Sequence, residues 1–317
     1  MQLGEIMIYS KMFDIGKSSI GRKYDRSGPA RMGDRSENPV YEYTPQIELA
    51  INVALATGRP LLIRGESGSG KSSLARAVAQ HLGWRYYETV VTSRTQAQDL
   101  LWTFDNLRRL NDAQANEIKD DKDYVKPCIL WWAFDPASAS EIRKDEYPLP
   151  QPKSLDSVVL IDEIDKADPD VPNNLLLPIG SLRFFVDEIG TEIAASKEHP
   201  PLIIITTNEE RQLPTAFLRR CITLDIESPD EERLKKIAVK HFGEEYNDIY
   251  TKLAKQIVEA ANRGERSKPN AAEFLDAVWA CISLEITPTD EFEGPSDVWR
   301  LIRDATLIKA DVNRPLI

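Results

Sequence analysis

Gly65-Glu66-Ser67-Gly68-Ser69-Gly70-Lys71-Ser72-Ser73 sets a lysine and two hydroxyls directly behind a run of spaced glycines. Glycines so placed let a backbone curl until successive N–H groups converge on one anion, and a helix beginning at the lysine points its positive end at the same spot. The spacing is that of a Walker A phosphate loop. In such a loop Lys71 reaches the β- and γ-phosphates of a nucleotide, and Ser72 ligates Mg²⁺. The flanks agree with this reading. Leu61, Leu62 and Ile63 form a short apolar run that predicts a buried strand, and Leu74, Ala75, Val78, Ala79 and Leu82 recur at helical spacing.

A second set of chemically suited residues follows Val158-Val159-Leu160-Ile161, an apolar run that predicts a central strand. Its end carries Asp162-Glu163, and the end of a strand is where an α/β sheet places its chemistry. Asp162 is expected to hold Mg²⁺ through water or Ser72, and Glu163 to polarise an attacking water. Leu202 to Thr206 predicts another buried strand, ending at Thr207-Asn208, where an amide can orient that water. Leu213-Pro214-Thr215-Ala216-Phe217-Leu218-Arg219-Arg220-Cys221 predicts a short helix carrying paired arginines into a last strand, Ile222 to Ile226.

These groups need a scaffold, and 317 residues suffice for one large or two modest domains. Residues 1–39 are rich in Gly, Ser, Arg and Lys and are expected to form a mobile arm. Residues 40–227 are expected to form the nucleotide-binding αβα domain. There Pro45 opens a helix whose stripe of Ile47, Ala50, Ile51, Ala54 and Leu55 stops at Gly58, and Tyr86 to Val91 reads as a strand. Residues 228–317 are expected to form a helical domain. It opens on Ser228-Pro229-Asp230-Glu231, read as an N-cap, a first-turn proline and a capping-box glutamate. Further helices follow on Leu234, Ile237, Ala238, His241 and Phe242, on a stretch to about Ala261, on Ala271 to Ile282, and from Pro295-Ser296. Between Thr92 and Asp156 the aromatic residues Trp102, Phe104, Trp131, Trp132 and Phe134 are expected to pack helices on the sheet edge. The proline-rich stretch Asp135 to Asp156 reads as a surface loop.

A net charge of −11 and a pI near 5.0 argue against a surface built to neutralise nucleic-acid phosphates. Cys128, Cys221 and Cys281 are too few and too far apart for a disulfide framework or a CxxC metal clip. His81, His199 and His241 lack ligand spacing. No apolar run approaches the roughly 20 residues that span a membrane, and the amino terminus shows no apolar leader core. A reducing cytoplasmic setting is therefore expected.

Taken together, GESGSGKSS, VVLIDEIDKAD, TTNEE and FLRRC, ahead of a helical domain, resemble an AAA+ ATPase. Within that class INVALATGRPLLIRGESGSGKS, LIDEIDKADPDVPNNLLLPI and LPTAFLRRC are similar to the MoxR-like branch, over about Tyr41 to Ile282. The resemblance implies a P-loop NTPase of three αβα layers with a parallel sheet and a smaller all-α lid, using ATP and Mg²⁺. It makes Lys71 and Ser72 the Walker A residues, Asp162 and Glu163 Walker B, Asn208 sensor 1 and Arg220 the arginine finger, with Arg219 its neighbour. Leu182 to Ala195 becomes a hairpin inserted before sensor 1, which puts Arg183, Phe184 and Phe185 near a ring's pore. One position departs from the pattern: where a sensor 2 arginine usually stands, this chain has Asn270, with Lys268 two residues earlier. The implied function is a hexameric ring that hydrolyses ATP to remodel or assemble a protein client, in some relatives one bearing a von Willebrand factor A domain. An ATP-controlled binding switch with slow turnover is the alternative, and a nucleic-acid motor or loader comes third.

Overall fold

The computed structural model describes residues 10–17, 40–143, 155–262, 270–286 and 288. The segment expected from Pro295, Lys268 and the prolines 148, 150 and 152 lie outside the described residues, as does most of the expected arm.

Helix α1, Pro45–Thr57, starts where Thr44 accepts a hydrogen bond from Ile47 N, with Pro45 in its first turn. It ends at Gly58, whose φ of 64° is a left-handed closure that glycine adopts without a Cβ clash. Strand β1, Leu61–Arg64, feeds the glycine-rich loop, and α2 runs Lys71–Leu82. Next come β2, Arg85–Val90, β3, Trp102–Phe104, α3, Asn106–Gln114, β4, Val125–Pro127, α4, Ile129–Phe134, and α5, Pro136–Ile142. Then follow β5, Ser157–Asp162, α6, Asp170–Asn174, α7, Leu176–Ser181, β6, Arg183–Val186, and β7, Thr191–Ala194. The chain continues through β8, Leu202–Thr207, α8, Thr215–Leu218, β9, Ile222–Asp225, α9, Glu231–Phe242, α10, Asn247–Asn262, and α11, Ala271–Ser283.

Five strands form the main sheet in the order β2-β5-β8-β1-β9. The β2–β5, β5–β8 and β8–β1 pairings are parallel, with Leu160 beside Ile204 and Ile63 beside Thr206. Residues of β5 and β8 are buried on both faces, as continuous apolar runs in a covered parallel sheet require. This is the α/β fold expected, a parallel sheet flanked by helices, with further helices in the C-terminal part.

Two compact units divide the described residues. One holds 10–17, 43–64, 78–143 and 155–224; the other holds 40–42, 65–77, 225–262, 270–286 and 288. The glycine-rich loop thus groups with the C-terminal helices. In the first unit, Trp131 is fully buried and donates through Nε1 to Ser138 Oγ at 2.8 Å. Phe184 lies stacked on Trp102 at 5.6 Å and packs against Trp131 and Phe134. The hairpin β6–β7 pairs antiparallel, and its two phenylalanines divide: Phe184 is buried and Phe185 exposed, as alternation along a strand dictates. In the second unit, α9, α10 and α11 share a core of Leu234, Tyr250, Leu253, Phe274 and Val278, with Phe242 stacked on Trp279 at 5.8 Å.

Three expectations need correction. The stretch read as a surface loop begins with α5, because Asp135 caps it by accepting from Ser138 N and Pro136 fits its first turn. The capping box is displaced. Helix α9 starts at Glu231, with Asp230 as the cap accepting from Arg233 N at 2.8 Å, while Ser228 Oγ donates instead to Glu66 at 3.3 Å. Inside the expected arm, Phe13 is fully buried, 5.4 Å from Tyr43 and 4.5 Å from His81. Asn52 holds this stretch by accepting from Met12 N and Phe13 N and donating to Phe13 O, and buried Glu48 accepts from Lys11 Nζ and Ile15 N. Phe13→Ala should therefore cost about 3–5 kcal/mol of stability, read as a lowered urea midpoint. An unchanged midpoint would mean that the stretch is a free arm after all.

Candidate functional site

Parallel pairing brings the ends of β5 and β8 side by side, so Asp162, Glu163 and Asn208 emerge together at one edge of the sheet. There Thr206 Oγ1 donates to Asp162 Oδ1 at 2.5 Å and accepts from Glu163 N at 2.9 Å. Glu163 itself has φ 59°, a left-handed conformation that costs a non-glycine residue energy. Its carboxylate is held at both ends. Asn208 Nδ2 donates to Oε1 at 3.1 Å, and Lys166 Nζ donates to Oε2 at 2.7 Å. The hydrogen bond to Glu163 raises the Lys166 pKa above the usual lysine value, so this ammonium stays charged. Asp165, almost fully buried, accepts from Asn208 N at 3.3 Å and Glu210 N at 2.9 Å, which fixes the turn carrying Asn208.

The glycine-rich loop begins at Gly65, directly after β1, and β1 pairs with β8 so that Arg64 lies beside Thr207 at the same sheet edge. Gly65, Gly68 and Gly70 have φ of 150°, 75° and 91°, which side-chain-bearing residues rarely adopt. Lys71 is 5% exposed and folds its ammonium back onto the loop, donating to Gly65 O and Glu66 O at 2.8 Å each. Ser69 Oγ is buried with no hydrogen-bond partner. A curled loop holding a buried ammonium and an orphan hydroxyl fits a phosphate group. Ser72 and Ser73 are exposed at the first turn of α2. Tyr41 lies against Gly70; burial pushes its phenol up to about 12, opposed by Arg233, so it is neutral beside the loop.

Arg219 and Arg220 are both exposed at the end of α8, and Arg220 Nη1 donates to Ala216 O at 3.2 Å. They make no part of the Asp162, Glu163 and Asn208 cluster. Asn270 stands at the start of α11, where it caps the helix. Burial raises all three thiols, Cys128 and Cys281 to about 11 and Cys221 to about 12, which leaves them protonated and unsuited to nucleophilic work at neutral pH. Among the described residues no group of His, Cys, Asp and Glu is arranged as a metal cluster, and no helix is long and apolar enough to cross a membrane.

Sequence reasoning passed over Lys166, Thr206 and Tyr41. The first two had a signal: a cation one helical turn after an acid, and a hydroxyl in an otherwise apolar strand beside the acid-bearing one. Tyr41 had none, because it is brought to the loop from a chain segment more than twenty residues away.

A five-stranded sheet in this order, with a phosphate loop after β1 and an acid pair at the end of β5, defines a P-loop protein of the AAA+ class. The chain belongs to the AAA domain family, dynein-related subfamily, whose model matches residues 60–221, more than half of the 317. No curated protein sequence matches it. Among solved structures it is similar to the RuvB Holliday junction branch migration motor of Thermotoga maritima, at 16% identity and a TM-score of 0.43, over 81% of this chain and 66% of that one. A point mutant of the same motor aligns at 16% identity and a TM-score of 0.37, over 75% of this chain and 68% of that one.

Proposed function

We propose that this chain is a MoxR-like AAA+ ATPase that assembles into a ring and uses ATP hydrolysis to remodel a protein partner. The observation that carries this reading is the meeting of Asp162, Glu163 and Asn208 at the sheet edge from which the phosphate loop departs. In it Lys71 and the backbone of Gly65 to Ser72, with Ser73 following, bind the phosphates, and Glu163 polarises the attacking water that Asn208 orients. Mg²⁺, held by Ser72 and Asp162, would supply neutralisation of charge on the phosphate oxygens. Arg220 serves a neighbouring subunit's nucleotide. The domain roles follow the same lines, with residues 40–227 as the ATPase portion, 228–317 as the lid, and a cytoplasmic setting.

The pairing of Glu163 with both Lys166 and Asn208 favours a second feature, slow turnover in the resting chain. The group that must polarise water already carries a donor on each oxygen. Such a chain works as an ATP-controlled switch until a partner draws Lys166 or Asn208 away. The test is phosphate release with Mg²⁺ present or chelated, with and without proteins that co-purify with Glu163→Gln. We expect Mg²⁺-dependent turnover that rises on adding the partner. Metal-independent release, or release raised by DNA or RNA in a salt-sensitive way instead, would overturn the reading.

A further inference from the structure

We infer that Asn270 is a positioning residue that ties the first turn of α11 to the backbone of the phosphate loop, so that this position reads the shape of the loop instead of the γ-phosphate. The inference rests on the nucleotide-site reading above. Asn270 uses both ends of its amide. Oδ1 accepts from Ala272 N at 2.8 Å and from Glu273 N at 3.4 Å, capping the helix, while Nδ2 donates to Ser67 O at 3.3 Å. An amide carries an acceptor and a donor on two separate atoms of one short group; a carboxylate could cap but not donate, an arginine or lysine could donate but not cap, and a serine hydroxyl that caps is too short to reach Ser67 as well. The approach is close. A Cβ on Gly68 would fall 1.9 Å from Asn270 Nδ2 and 2.1 Å from Oδ1, and Gly68 has φ 75°. The loop thus has a glycine where the capping amide arrives. One further hydrogen bond joins the loop to the chain ahead of α9, from Ser228 Oγ to Glu66, and the backbone there comes so close that a Cβ on Gly65 would lie 2.5 Å from Ile226 O.

Because the hydrogen bond goes to a backbone carbonyl, its loss must disturb every nucleotide that uses the loop, whatever its phosphate count. Asn270→Asp keeps the cap and removes the donor, and Asn270→Ser likewise caps but falls short of Ser67. In the full chain, dissociation constants for ADP and for a non-hydrolysable ATP analogue should both weaken about 3–10-fold, by the same factor, in each variant. Thermal unfolding midpoints should stay near wild type, because the helix keeps its cap. Loss confined to the triphosphate would show phosphate sensing and overturn the inference, as would unchanged affinity for both nucleotides or an equal loss that tracks a lowered midpoint. A wild-type chain that bound neither nucleotide would overturn the nucleotide-site reading itself and this inference with it.

Discussion

Lys71→Ala should abolish nucleotide binding, whereas Glu163→Gln should bind ATP as the wild type does and hydrolyse it about 10²–10⁴-fold more slowly. The difference follows from position. The Lys71 ammonium is the buried cation of the loop, anchored on Gly65 O and Glu66 O, and it is the group a phosphate would recruit. Truncation removes that charge and its three donors from the site where negative charge must be accommodated. Glu163 stands on another strand end, and its replacement by an amide of equal size removes the carboxylate proposed to polarise water and leaves Lys71 in place. Gln keeps one of the two acceptor oxygens, so it can still hold either Asn208 Nδ2 or Lys166 Nζ, while its NH₂ faces the other donor. Equilibrium titration with a fluorescent ATP analogue, set beside phosphate release, separates the two variants. Should neither bind nucleotide, the division of roles between loop and strand end is wrong.

The second large effect is expected at Arg220. It is exposed at the end of α8 and apart from the chain's own acid cluster, as a residue serving a neighbour would be. Stabilising the charge that develops on a transferred phosphoryl group can contribute about 10³–10⁵ in rate, so Arg220→Ala should nearly abolish turnover with ATP affinity mostly kept. Arg219→Ala should change it far less. The head-to-tail contact this requires is heterologous and closes into a ring when the rotation permits. Mixing Arg220→Ala subunits with Lys71→Ala subunits should restore part of the activity, since an intact Lys71 site then meets an intact Arg220. Absence of recovery in rings verified to be mixed, or full activity in a strict monomer, would refute action in trans.

Much of this arrangement was legible because the residues that matter are local in the chain. The apolar runs before Gly65, Asp162 and Asn208 read as strands through their continuity, and the parallel order then set their ends together. What escaped was set by contacts between distant segments. A lone Phe13 in a polar stretch has no periodicity to announce that Asn52 and Glu48 hold its backbone. Ser228 and Asp230 are equally good caps by type, and the choice fell to Asp230 where Ser228 is engaged with Glu66. Phe184 and Phe185 read alike in sequence and differ only because a strand turns successive side chains to opposite faces.

The grouping of the phosphate loop with the C-terminal helices has a consequence for how the chain is made. Residues 65–77 leave the ribosome early, yet Asn270, which holds the Ser67 carbonyl, and Ser228, which bonds the Glu66 side chain, are translated far later. At about 5–20 residues per second, some 200 residues of synthesis separate Gly68 from Asn270, or about 10–40 s. During that interval the nascent sheet can pair β1 with β8 only after most of the intervening chain has emerged, and the loop waits longer still. On the inference above, full nucleotide affinity is therefore reached only once translation has passed the start of α11.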